Sequence, residues 1–132
     1  MPKPKVHWAS EPEGHDFPAA LDYLSLVMPE SQAAALAEAL RTAPTVRRKA
    51  KDILRASRLA ALDDTNVHVA KDLAKIRAGS PLSPVLLVRG DLRSDVPLTI
   101  ADGYHRVCAS LLVNEDTLIP CRIADLSGGA GS

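Results

Sequence analysis

The chain has 132 residues, 46% of them apolar and only 3% aromatic, and its 16 basic side chains are balanced by 16 acidic ones. That length suits one domain with a real core, and the apolar share excludes wholesale disorder. Scarce aromatics exclude a base-stacking platform of the RNA-binding kind, and zero net charge excludes a general polyanion binder, leaving only a local basic patch.

The N-terminus, Met1-Pro2-Lys3-Pro4-Lys5, lacks the apolar run of a signal peptide. No stretch approaches the ~20 apolar residues of a membrane span, so a cytoplasmic chain without a membrane partner is expected. Residues 1–16 hold prolines, charges and Gly14 and read as an irregular arm. From Phe17 to Met28, Leu21, Leu24 and Met28 recur at helical spacing. Pro29 breaks that pattern and suits the start of a second helix, about 30–42, striped by Ala33, Leu36, Ala37 and Leu40.

Ala43-Pro44-Thr45 stops the second helix, and Thr45 is placed to cap a third running to about Ser57. The stretch 47–58 holds Arg47, Arg48, Lys49, Lys51, Arg55 and Arg58. It reads either as a basic helix facing nucleic acid or phosphate, or as a solvated helix face with Asp52 as a local partner. The Pro44 turn also permits a helix-turn-helix geometry. A further helix is expected from about Asn66 to Arg77, with Val69, Leu73 and Ile76 inward and Gly79 as its stop.

The pattern then changes. Pro84-Val85-Leu86-Leu87-Val88 is a continuous apolar run with β-branched residues and predicts a buried strand. Gly90 to Asp95 is turn-like, and Pro97-Leu98-Thr99-Ile100-Ala101 predicts a second strand, forming a hairpin with the first. Gly103 to Val113 is helical, with Tyr104, Val107, Cys108, Leu111 and Leu112 as its apolar side. Leu118 to Ile123 predicts a third strand, whose Pro120 argues for an edge or an end. The tail, 127–132, is Gly-rich and expected to be loose. Cys108 and Cys121 show no zinc-type spacing and read as small buried thiols in reduced form.

Chemistry concentrates at the strand-to-helix junction Thr99-Ile100-Ala101-Asp102-Gly103-Tyr104-His105-Arg106. A helix start presents unpaired N–H groups and the positive end of the helix dipole. Glycine allows a ligand close to the backbone, and a first-turn arginine adds a bidentate donor for phosphate oxygens. Together these make an anion site, with Arg106 expected to be exposed and of little weight in stability. Asp102 would repel a phosphate unless a cation lies between them, so it is assigned either Mg²⁺ bridging or simple helix capping. His105 is a candidate general acid or base. The ring of Tyr104 falls on the side of Cys108 and Leu111, where packing is expected. His7, His15 and His68 show no ligand-like spacing; His15-Asp16 reads as an acid/base pair or an ordinary turn.

From about Asp52 to Ala124 the chain resembles the ParB/sulfiredoxin group. The resemblance rests on Asp102-Gly103-Tyr104-His105-Arg106-Val107-Cys108-Ala109 and on the earlier strand Leu82-Ser83-Pro84-Val85-Leu86-Leu87-Val88. Members place a Gly-x-x-Arg or Gly-x-His-Arg sequence between a strand and a helix, after a strand opened by proline. The resemblance implies that Gly103, His105 and Arg106 face nucleotide phosphates. The group's nucleotide hydrolases, sulfiredoxins, free-serine kinase and nucleases show that fold does not settle function. Two departures narrow the expectation. Tyr104 stands where sulfiredoxins carry their reactive cysteine, and no helix-turn-helix reader of the partition-protein kind follows before Ser132.

The expected fold is therefore α+β (α/β): a small mixed sheet of three or more strands carrying a strand–turn–helix phosphate site. Residues 1–51 would form an N-terminal arm and helical segment that packs on the core or on a second copy in a homodimer. Residues 52–126 would form the ParB/sulfiredoxin-like domain. The phosphate-binding candidates are Gly103, Tyr104, His105 and Arg106, with Arg55 and Ser57 as possible additions. His105 and Asp102 are the catalytic candidates, and a nucleoside triphosphate with Mg²⁺ is the expected ligand. The expected function is nucleotide binding with hydrolysis, phosphotransfer or nuclease action. The alternative is a non-enzymatic module that binds nucleotide or DNA.

Overall fold

A computed structural model describes residues 4–126, so the expectation for the tail 127–132 lies outside the described residues. The order of elements is α1 (Asp16–Val27), α2 (Glu30–Thr42), β1 (Thr45–Lys49), α3 (Ala50–Ser57), α4 (Val67–Arg77), β2 (Val85–Val88), β3 (Thr99–Asp102), α5 (Tyr104–Val113) and β4 (Leu118–Ala124). A short 3-10 turn, Leu92–Ser94, interrupts the loop between β2 and β3. The fold is α+β, with a small mixed sheet and a helical N-terminal segment, as the sequence predicts.

The four strands lie in the order β1-β4-β2-β3. β2 and β3 form the expected antiparallel hairpin, with an irregularity between Leu86 and Leu87. β4 runs parallel to β2 and antiparallel to β1. Two layers of helix enclose this sheet. Leu86 and Val88 face α1 and α2, where Phe17, Leu24, Leu36 and Leu40 complete one core. Val85 and Leu87 face the other way, into a larger core with residues of α3, α4 and α5 such as Ile53, Leu73 and Val107. Successive strand residues point to opposite faces, so a strand covered on both sides must be apolar throughout, and all four residues of β2 are buried.

The predicted stripes on α2 and α4 are the buried ones. Asn66 caps α4 by accepting from the N–H groups of His68 and Val69 at 2.9 and 3.2 Å. Gly79 ends the helix with a positive φ of 75°. The arm is irregular but held: Val6 is buried, and Ala9 N–H donates to Leu82 O at 2.8 Å.

Three local expectations are corrected. The third helix begins at Ala50, because Thr45–Lys49 is a strand paired with β4. The basic stretch 47–58 is thus split between a strand, a helix and the left-handed residue Arg58, and no helix-turn-helix forms at Pro44. β4 is an inner strand despite Pro120, which lies one residue before the ladder with β2 begins at Cys121. On α5, Leu112 is exposed, and Val113 rather than Leu112 is buried.

Candidate functional site

Gly103 is the N-cap of α5, with φ 110° and ψ 17°. Only glycine adopts that backbone without strain. A Cβ there would also lie 2.5 Å from Val85 Cγ1 and 3.0 Å from Arg106 Nη2. The tight packing of the β3–α5 junction on β2 therefore requires glycine twice over. No side chain caps this helix end. The N–H groups of Tyr104, His105 and Arg106, the first three of the helix, have no intrahelical partner.

This end of α5 opens into a cleft of about 420 Å³. Four other segments line it: the loop at Glu13–Asp16, the α4 face carrying His68, Lys71, Asp72 and Lys75, the approach to β2 at Pro81–Ser83, and Asp102 at the end of β3. The cleft is polar and of mixed charge. Lys71 and Lys75 are exposed, and neither forms an ion pair among the described residues.

Arg106 does not project into solvent. Its side chain is 13% exposed, and its Nη2 lies 2.5 Å from Asp102 Oδ2. Nη1 donates to Ser83 O at 2.8 Å and to Ser83 Oγ, and stands 3.7 Å from Asp16 Oδ2. Ser83 Oγ in turn donates to Asp16 Oδ2 at 2.8 Å, and Glu13 N–H donates to the same oxygen at 3.0 Å. Arg106 is therefore the centre of a network joining α1, the approach to β2, the end of β3 and α5, which corrects the expectation of an exposed first-turn arginine of little weight in stability. Asp102 caps nothing; its carboxylate is engaged by Arg106. Burial raises the Asp102 pKa above the ordinary carboxylate value, against the pull of Arg106 and with the push of Asp16.

His105 lies half-buried beside His68, with ring centroids 4.8 Å apart. Burial first, and then His68, lower its pKa below the ordinary 6.5, so the neutral imidazole is favoured. Such a group can accept a proton or donate through one ring nitrogen. Asp72, on the same wall, is raised by burial, with Lys75, Arg106 and His105 opposing. Tyr104 packs on the core and donates its hydroxyl to Ala60 O at 2.5 Å, as its predicted packing role requires.

The sequence candidates Asp102, Gly103, Tyr104, His105 and Arg106 thus meet in one cleft. Arg55 and Ser57 do not join them. Arg55 is 87% exposed and pairs with Asp52 at 3.6 Å, while Ser57 is buried and donates to Leu54 O at 2.7 Å. Glu13, Lys71, Asp72, Lys75 and Ser83 were not singled out by sequence. A signal existed for α4: His68, Lys71, Asp72 and Lys75 recur at i, i+3, i+4 and i+7, the polar face opposite the buried stripe. What the spacing omits is that this face turns toward Gly103. Glu13, His15 and Asp16 bring a ligand atom each within 4.8 Å of one another. His15 Nε2 there lies 3.1 Å from Glu13 Oε2 and 3.4 Å from Asp16 Oδ1. Cys108 and Cys121 are both buried free thiols, and burial pushes Cys121 up to about 11.

No family model, curated protein or solved structure matches this chain. Among the described residues no helix is long and apolar enough to cross a membrane.

Proposed function

We propose that the cleft binds the phosphate groups of a nucleotide, with hydrolysis or transfer of a phosphoryl group as the chemistry it serves. The observation that carries this reading is the uncapped, glycine-led end of α5 opening into a cleft that also holds two unpaired lysines. Helix-end N–H groups and the dipole attract an anion, and Lys71 and Lys75, held in no ion pair among the described residues, add two cations free to turn toward it. The resemblance of residues 52–124 to the ParB/sulfiredoxin group, through Gly103 and His105, supports the same reading.

The division of labour differs from a simple arginine clamp. Arg106 is already set against Asp16 and Asp102, so its role is to fix the turn, and direct charge on the ligand falls to Lys71, Lys75 and the helix end. Asp102 Oδ1 accepts no hydrogen bond among the described residues, and such a hard oxygen donor suits Mg²⁺. The cation would offset the repulsion between Asp102 and a phosphate. His105, favoured neutral, is the group placed to take a proton from an attacking hydroxyl or water.

A thermal-shift panel of nucleoside mono-, di- and triphosphates, with and without Mg²⁺, tests the site. A ligand at a hundred times its dissociation constant adds about 2.7 kcal/mol. Lys71→Ala/Lys75→Ala, on an exposed face, should keep the fold and weaken binding roughly 10- to 100-fold, the range for losing charged hydrogen bonds. No shift with any nucleotide would remove this reading. Phosphate release by the bound nucleotide then separates an enzyme from a binding module.

A further inference from the structure

β1 and β3 are the two margins of the sheet. β3 leads into the cleft; β1, at the opposite margin, pairs with β4 alone. Ala50 N–H donates to Thr117 O at 2.9 Å and continues the register that sets Arg48 opposite Ile119 and Val46 opposite Cys121. Bonded pairs alternate along an antiparallel ladder. Val46 and Arg48 therefore bond inward; Thr45 and Arg47 turn both their N–H and C=O groups away from β4, and Lys49 its N–H, while the Lys49 C=O heads α3 as its N-cap. The same parity explains Pro120: opposite Arg47 it occupies a non-bonded position, where its missing N–H leaves no gap in the β1 ladder.

This outward edge is open. Among the described residues no backbone group bonds to it, and every residue of β1 except Val46 is exposed. It is also strongly basic. Arg47 and Arg48 have no acidic partner among the described residues, and Lys49 stands 3.8 Å from Asp116. Beside Arg47 lies a hollow of about 480 Å³ lined by Lys5, Trp8, Thr117 and Leu118 among others, with room for a side chain.

We propose that the β1 edge takes an acidic extended segment of a partner protein, added to the sheet as a fifth strand. The charge selects the partner. A second copy pairing through its own β1 would bring Arg47, Arg48 and Lys49 against the same three cations, and like charges across strands repel. A phosphate backbone would match the charge but not the ladder, since phosphate oxygens only accept, whereas a strand offers N–H and C=O groups in register with the outward C=O and N–H groups of β1. An acidic strand meets both demands, with carboxylates opposite Arg47 and Lys49 on one face or opposite Arg48 on the other.

The test uses the full chain and a fluorescein-labelled ten-residue peptide alternating glutamate with valine. Binding should weaken roughly tenfold or more with Arg47→Glu/Arg48→Glu, since the arginine on whichever face meets the carboxylates turns from attraction to repulsion. It should vanish when alternate peptide amides are N-methylated, and bound peptide should slow hydrogen exchange of the Arg47 and Lys49 amides. A lysine–valine peptide should bind the doubly reversed variant in preference to the native chain. If reversal disturbs the fold, Arg47→Gln/Arg48→Gln serves in its place. The proposal is overturned by no binding, by unchanged binding of the N-methylated peptide, or by amides that exchange at the free rate. It is equally overturned if a single-stranded oligonucleotide binds more tightly and loses affinity with the same variants, making the edge a nucleic-acid surface.

Discussion

Arg106 sits in the first turn of α5, where a helical side chain leans back over the turn before it. That lean sets its guanidinium on Asp102, Ser83 and Asp16 at once. The carboxylate side chains are only 6% exposed for Asp16 and 19% for Asp102, so removing the cation leaves two desolvated charges. Arg106→Met should cost about 3–5 kcal/mol in urea unfolding at pH 7, the range for breaking a buried pair from one side. The loss should shrink at acid pH as Asp102, whose pKa burial raises, takes up a proton, and adding Asp102→Asn should recover part of it. His105 makes a second residue-scale prediction. Its pKa is lowered by burial and by His68, so the unfolded chain binds a proton at a pH where the folded chain does not. Its stabilising contribution is fully present above the ordinary 6.5 and is lost as pH falls through the lowered folded value. His105→Gln should therefore lose stability less steeply than the native chain between neutral and mildly acid pH, read from urea midpoints.

Among the elements, β4 does the most joining, because it carries contacts to both helical layers and lies between β1 and β2. Arg122, 8% exposed, shows how. Its Nη1 donates to Arg41 O at 2.6 Å and to Leu40 O at 3.3 Å, satisfying carbonyls at the end of α2 and placing a cation at that helix C-terminus. Its Nη2 also meets Glu11, whose side chain is 72% exposed. Exposed partners contribute little, so the carbonyl contacts dominate. Arg122→Leu should lower stability by about 1–3 kcal/mol, the cost of stranding buried acceptors. Glu11→Gln should cost no more than about 1 kcal/mol. Equal losses in the two variants would mean that the ion pair, not the helix end, is what Arg122 supports.

At the scale of the molecule, two cores share one thin strand. Leu86 and Leu87 are adjacent, both essentially fully buried, and belong to opposite cores. Each truncation to alanine should cost about 2–5 kcal/mol. Since both cores are anchored on β2, the two layers are expected to melt together. Leu86→Ala and Leu87→Ala should each move the urea midpoint of a single transition without changing its slope. A second transition in Leu86→Ala would show the α1–α2 layer to be an independent unit. The same architecture puts the cleft at one margin of the sheet, where β3 ends, and the open basic strand at the other.

Local chemistry was enough to define most elements. α2 and α4 follow from apolar spacing with a proline start and an asparagine cap, β2 from an unbroken apolar run, and the β3–α5 turn from a glycine between strand and helix. The cluster of Asp102 to Arg106 was legible for the same reason: five consecutive residues cannot be far apart. Thr45–Lys49 escapes sequence reading because a charged stretch between a helix stop and the next helix carries no local strand signal; pairing with β4, 69 to 77 residues later, makes it a strand. The commitment of Arg106 to Asp16, and the arrival of Lys71 and Lys75 at the cleft, were equally closed to sequence reading. Each depends on which helix face meets which strand end, and burial of two cores around one sheet decides that only when the whole chain is folded.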